Sequence, residues 1–231
     1  MKDWEAHWRE APARFEPTQF LEQVGKTVAK KPVAEQQIGW IVEGVRARLD
    51  LSPDDRLLDL CCGNGLLTAR FSAACRRVTG VDYSEPLLAV ARAHNSPENV
   101  EYLRGDAREL GALLAGRSFD KVVMYEALQH FTPREVEGML RQLAALLAEG
   151  APVLLASIPD RARLWTFHDT LRRRWDFVRR SLRGDPAIGT WWRREALADL
   201  AERNGFACEA LDQDARLYTA HYRFDALLRR R

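Results

Sequence analysis

No run among the 231 residues is long and apolar enough to span a bilayer, and the opening MKDWEAHWRE lacks the apolar stretch of an export signal. The expectation is a cytoplasmic protein with no membrane partner. An excess of one charge is missing as well. The 35 basic and 33 acidic residues nearly cancel, so no global field draws the chain toward nucleic acid or lipid, and any basic patch has to be local. Cysteine is scarce. Of the four, Cys61 and Cys62 are adjacent while Cys75 and Cys208 stand alone, and without a CxxC pair neither a zinc site nor a disulfide framework is indicated. Reduced thiols and no bound metal are expected. Internal repeats and low-complexity stretches are also absent, and a hydrophobic fraction of 46% over this length suits one elaborated domain with a sizeable core.

What is present is an alternation of short apolar runs with helical patterns, which predicts βαβ units and a parallel sheet. Strands are expected at residues 56–60, 77–81, 100–104, 119–124 and 152–157, and two more at 206–211 and 217–228 would close the sheet as an antiparallel hairpin. Helices are expected at 66–74, 85–94 and 133–148, the last opened by a Thr132 cap with Pro133 in its first turn. Upstream, Ile38, Ile41, Val42, Val45 and Leu49 recur at helical spacing and predict a helix covering the sheet. Residues 159–190 break the rhythm and read as a helical insertion, with Leu164, Phe167, Leu171, Trp175, Val178 and Leu182 in one apolar stripe. That stripe is expected to face the protein and to leave the arginines of the segment in solvent.

The chemistry gathers at the strand ends. Strand 56–60 runs into Cys61-Cys62-Gly63-Asn64-Gly65 and then a helix; glycines there let backbone approach a ligand, and a helix N-terminus offers unpaired N–H groups. A dinucleotide fingerprint needs a third glycine where this chain has Thr68. The Gly25-Lys26-Thr27 triplet is not a P-loop either, because the required earlier glycine is Phe20. The next strand ends on Asp82, 23 positions after Asp59, near the separation of about 20 expected of an acid that grips ribose hydroxyls. Ser84 is placed to cap the following helix, and the third strand ends at Gly105-Asp106-Ala107.

LLDLCCGNG, with Asp59 at the acidic position, resembles motif I of the class I S-adenosylmethionine-dependent methyltransferases, of the bacterial small-molecule type. Four strand-end features carry the resemblance over residues 56–157. Cys61 replaces the usual glycine, and as a small residue it is expected to leave the turn intact. The resemblance implies a Rossmann-like, doubly wound, mostly parallel α/β sheet of seven strands and S-adenosyl-L-methionine as cofactor. It implies that Asp59, Cys61, Gly63, Asn64 and Gly65 form the cofactor turn, that Asp82 takes the ribose with Ser84 beside it, that Tyr83 lies against the adenine, and that Gly105, Asp106 and Ala107 meet the adenine as well. Asp106 is equally suited to capping a helix. FDKVVMYEALQHFTP resembles the segment facing the methyl group, which brings in Tyr125, Glu126, Gln129 and His130; the absence of a D/N/S-P-P-aromatic motif and of a Pro-Cys pair disfavours nucleobase chemistry. QVGKT segments precede motif I in similar enzymes, so residues 23–27 are read as an active-site cap or as a surface loop. One domain follows, with a helical cap (1–50), a cofactor-binding core (51–158), a helical lid (159–190) and a C-terminal helix and hairpin (191–231).

Methyl transfer to a hydroxyl also requires loss of a proton, for which histidine is suited near neutral pH. His130 is the candidate base, with a structural role as its alternative, and His168 and Trp191 are candidates to contact the acceptor. The insertion holds eight arginines against four aspartates. A phosphorylated or carboxylated acceptor and a plain solvated face are both compatible with that count. GTWWRREALADLAERNGF resembles methyltransferases of sugar pathways. The expected function is methylation of an oxygen or nitrogen on a small molecule, such as a sugar or acidic metabolite. An RNA or protein methyltransferase, or a noncatalytic cofactor sensor, is the alternative, and the oligomeric state is left open.

Overall fold

In the computed structural model, residues 4–10 and 12–231 are described. Seven strands form one sheet: β1 (Arg56–Leu60), β2 (Arg77–Asp82), β3 (Val100–Arg104), β4 (Lys121–Tyr125), β5 (Pro152–Pro159), β6 (Phe206–Asp212) and β7 (Arg223–Arg230). Their order is β3-β2-β1-β4-β5-β7-β6. The first five pair in parallel and β7 runs antiparallel to both neighbours, as expected of a doubly wound sheet closed by a hairpin. The order reverses between β1 and β4. At that point consecutive connections leave toward opposite sides, opening a crevice at the carboxyl ends of the strands.

The helices that matter to the site are α1 (Trp4–Glu10), α2 (Glu35–Leu49), α3 (Glu85–His94), α4 (Pro133–Leu146), α5 (Leu171–Leu182) and α6 (Arg194–Arg203). Period-two alternation splits the strands between two cores. Leu58, Leu60, Val122, Met124, Val153 and Leu155 join the buried faces of α4 and α6, while Leu57, Val123, Leu154 and Ala156 join α2 through Ile38, Ile41, Val45 and Leu49. Val42, at the edge of the α2 stripe, is only half-buried. Thr132 opens α4 with a complete capping box, its hydroxyl accepting from Glu135 N while the Glu135 carboxylate accepts from Thr132 N. Among the described residues, no helix is long and apolar enough to cross a membrane.

Several expectations are corrected. The helix after motif I shrinks to Thr68–Phe71 followed by a 3-10 turn at Ser72–Ala74, because Leu66 and Leu67 are used by the turn that leaves the glycines. The fourth strand starts at Lys121 rather than 119; Phe119 forms only an isolated bridge to Leu147. The last strand starts at Arg223, since 217–222 fold into successive turns held by Ala220 N to Leu217 O and Tyr222 N to Thr219 O. Strand β5 extends to Pro159 around an irregularity at Ser157, whose N–H donates to Asp225 in β7. The insertion stripe is broken at residues 168–170, where Thr170 accepts from Arg173 N and starts α5 afresh. Its apolar side faces solvent: Leu171, Trp175, Val178 and Leu182 are exposed.

Candidate active site

A cavity of about 420 Å³ opens at the carboxyl ends of β1 to β4 and takes in α1, the 23–27 segment and the end of the insertion. Its floor is the motif I turn. Cys61, Gly63 and Gly65 all have left-handed backbone (φ 58°, 57° and 75°). The turn therefore survives with a side chain at position 61, at a steric cost of about 1 kcal/mol against glycine. A Cβ at Gly65 would collide with the Tyr102 side chain, so close packing adds to the left-handed backbone in favouring glycine there, and one at Gly105 would meet Leu113. Gly65 itself lies behind the cavity wall rather than in it.

Three acids converge on this floor. Asp82, at the end of β2, accepts from Gly63 N at 2.9 Å and Ser84 N at 2.8 Å, so it ties the glycine turn to the next strand. Asp59 is buried and accepts from the Thr68 hydroxyl at 2.6 Å; the residue standing where a dinucleotide fold has its third glycine thus holds the motif I acid. Asp106 is bridged by Arg108, whose side chain also reaches Glu135. Burial tends to raise the Asp106 pKa, but the Arg108 hydrogen bonds and charge outweigh it and the carboxyl titrates below its usual range. Asp106 also accepts from Arg108 N in a local turn; it does not cap the following helix, which begins at Leu110 with Glu109 at its cap position.

Burial drives the other two acids the opposite way. Desolvation pushes Asp59 up to about 7, against the Thr68 hydrogen bond, and Asp82 up to about 6, against its backbone donors. Unfolded, both titrate near 3.9. Between those limits the folded protein binds more protons than the unfolded chain, so stability falls as pH rises from 4 to 7 and levels off above. Asp59→Asn, which keeps an oxygen acceptor for Thr68, is expected to stabilise the ligand-free protein at pH 8 by on the order of 3 to 4 kcal/mol and hardly at all at pH 4. Thermal unfolding at both pH values checks this; an equal effect at each would contradict it.

The β4 end supplies a different chemistry. Glu126 follows Tyr125 with a left-handed backbone (φ 57°) and receives the Lys26 ammonium at 2.7 Å, with Arg223 at 3.5 Å on its other oxygen. Burial would raise the Glu126 pKa, but Lys26 and Arg223 outweigh it and keep the carboxylate ionised. Lys26 is itself buried and lies 4.7 Å over the Tyr125 ring. Of the two readings of residues 23–27, the structure has the one that lines the cavity. Asn64 explains how: its amide donates to Phe20 O and Gln23 Oε1, clamping the segment onto the motif I turn.

His130 ends a 3-10 turn and lines the cavity, its ring centroid 4.2 Å from Trp4 and 5.7 Å from Trp8. Trp4 and Trp8 are lining residues that the sequence reading missed. They reach the site because α1 lies over it, its carbonyls accepting from Tyr83 (2.8 Å to Trp4 O) and from the Ser84 hydroxyl (2.7 Å to Trp8 O). An aromatic-rich stretch far upstream of motif I was the available signal. Ser84 therefore does not cap α3 with its side chain and does not reach the cavity. Gln129 does line it, but its side chain turns inward, donating to Glu126 O and accepting from Arg223 at 3.3 Å. The candidate acceptor contacts in the insertion are displaced. His168 is buried among Phe167, Phe177 and Trp191, and Trp191 borders a neighbouring cavity with Trp192. Neither reaches the main cavity, because α5 packs beside the pocket rather than over it. The insertion contributes only its end: Pro186, Gly189 and Thr190, with Thr190 N donating to Gln129 O at 2.8 Å.

This sheet order, with a crevice at the switch point, a glycine turn and acids at successive strand ends, defines the class I methyltransferase fold. Residues 57–150 match the family model described as a methyltransferase domain, the segment that carries the motif I turn and the strand-end acids. A ubiquinone biosynthesis O-methyltransferase of Aromatoleum aromaticum is 35% identical over 114 residues, covering 48% of this chain and 47% of that protein. One from Bordetella pertussis is 29% identical over 170 residues, covering 73% and 57%. The chain thus spans about half the length of the curated relatives it matches. Among solved structures, a DhpI complex with SAM (TM-score 0.67, 17% identity, 98% of this chain and 95% of that one) shares the fold. So does the magnesium protoporphyrin IX methyltransferase of Synechocystis PCC 6803 with bound SAH (TM-score 0.63, 17% identity, 99% and 95%).

Proposed function

We propose that this chain transfers a methyl group from S-adenosylmethionine to an oxygen or nitrogen of a small molecule, residues 1–231 working as one domain. The observation that carries the reading is the cavity itself: a motif I turn, strand-end acids Asp59, Asp82 and Asp106, and an aromatic wall of Trp4, Trp8 and His130 around one space. The residues present fit the cofactor. Left-handed glycine backbone leaves room against the floor, Asp82 has acceptor capacity beyond its two N–H donors, and the Tyr83 ring offers a flat apolar face beside it. Bound there, the sulfonium supplies an activated methyl group and a neutral thioether leaving group.

The protein's own part is orientation, exclusion of water and proton removal. Lys26, held on Glu126, and Arg108, held on Asp106, place two cations in the lining. The reading extends to a sugar or acidic metabolite as acceptor, and the relatives named for O-methylation favour an oxygen. His130, between the tryptophans and the β4 end, is assigned as the base. His130→Ala is expected to lower turnover by about a hundredfold, in line with loss of general base catalysis, while leaving S-adenosylhomocysteine affinity within about twofold. Isothermal titration beside a single-turnover assay separates the two, and undiminished turnover would remove His130 from the mechanism. Incubation with methyl-labelled cofactor and a metabolite extract, followed by mass spectrometry, tests the function. Cofactor binding without a labelled product would favour a sensor.

A further inference from the structure

Helix α5 presents its apolar residues to solvent. Leu171, Trp175, Val178 and Leu182 recur at i, i+4, i+7 and i+11, form one face, and are 77%, 74%, 41% and 84% exposed. Singly exposed apolar side chains are ordinary, whereas a contiguous stripe with a tryptophan in it marks a contact surface. The helix is attached by another side chain, Phe177, whose ring packs on Trp165 and His168. The stripe is thus left over after the helix has been anchored.

Charge identifies its occupant. Residues 172–183 carry six arginines against Asp176 alone, in a chain whose net charge is only +2. Helical spacing puts Arg172 and Arg179 along one flank of the stripe and Arg174 along the other. Arg173, Arg179 and Arg180 have surface partners in Asp169, Asp176 and Asp185, and Arg174 donates to His168 O with its guanidinium over the Trp165 ring; the six arginines still exceed these three aspartates by three charges. Pairing with a second copy of the same helix would set arginine against arginine. A single convex helix with leucines and tryptophan on one side and arginines along both borders has the composition of a helix lying in a lipid interface.

We propose that α5 docks this protein on an anionic lipid surface, with Leu171, Trp175, Val178 and Leu182 entering the boundary between headgroups and acyl chains and the flanking arginines meeting lipid phosphates. Docking is distinct from spanning, and the whole-chain charge balance that argued against a membrane partner averages this local excess away. The segment leaving the helix, Pro186 to Thr190, forms part of the wall of the main cavity, so the docking element and the proposed methyl-transfer site are neighbours in the chain. The docking proposal does not depend on methyl transfer.

The test is sedimentation of the full chain with vesicles of phosphatidylcholine alone and of phosphatidylcholine mixed with phosphatidylglycerol. The chain should pellet with the anionic vesicles and not the neutral ones, with weaker binding at high salt and a blue shift of tryptophan emission. The triple variant L171Q/W175Q/L182Q alters only exposed positions, should keep the parent's thermal unfolding midpoint, and should bind anionic vesicles roughly tenfold or more weakly. R172Q/R179Q/R183Q should weaken anionic binding and flatten its salt dependence. Failure of the parent to pellet with anionic vesicles, or equal binding by the apolar variant, would overturn the proposal. A concentration-dependent dimer abolished by L171Q/W175Q/L182Q would overturn it in favour of a self-interface.

Discussion

Asp82→Ala is expected to weaken S-adenosylhomocysteine binding by about a hundredfold, the scale of losing two or so kilocalories of charge-assisted hydrogen bonding and the alignment that goes with it. The carboxylate accepts from Gly63 N and Ser84 N, so it shapes the glycine turn as well as facing the cavity. Removing it strands two buried N–H donors. Asp82→Asn distinguishes the roles: an amide oxygen can still accept from one donor and should preserve part of the turn, but it brings no charge. Titration calorimetry on both variants checks this. If Asp82→Ala binds within threefold of the parent, Asp82 is not the cofactor's ribose ligand. Because burial pushes the Asp82 pKa to about 6, the parent's own affinity should rise as pH increases from 5 to 7 and the carboxylate ionises.

Lys26→Met is expected to cost about 3 kcal/mol of stability, lowering the unfolding midpoint by about 10 °C for a chain of this size. Lys26 is 4% exposed and its ammonium is 2.7 Å from Glu126, so the substitution strands a carboxylate at the cavity floor. Arg223, at 3.5 Å, compensates only in part, which sets the estimate at the lower end of the range for a broken buried pair. Adding Glu126→Gln should recover some of the loss, since no uncompensated charge then remains. Denaturant titration of the three variants gives the comparison; a loss below about 1 kcal/mol for Lys26→Met would mean that the pair is solvated and contributes as a surface bridge does.

How far the site was legible follows from the range over which each signal acts. Asp59, the glycine turn, Asp82 and Asp106 lie at the ends of successive strands. Local patterning predicts those ends, and parallel pairing brings them to one edge. His168 and Trp191 were misplaced because their positions depend on how the insertion packs, and a helical stripe does not say which partner it meets. The stripe of α5 reads as core-facing in the sequence for the same reason. Its two halves share a period in sequence, but the break at residues 168–170 turns the second half outward. Trp4 and Trp8 reach the cavity through hydrogen bonds spanning 76 to 79 positions, which no local pattern encodes.

The sequence alone determined the α/β class, the seven strands, the motif I turn and the acids at the strand ends, because periodicity and turn chemistry are short-range and the sheet multiplies them. Only the tertiary structure decided that Lys26 is buried on Glu126, that α1 supplies an aromatic wall, and that an apolar helix face is left in solvent. Each of those rests on which surfaces meet across the chain. That is settled by the summed packing and charge of the folded molecule, and a local pattern does not name the surface it will meet.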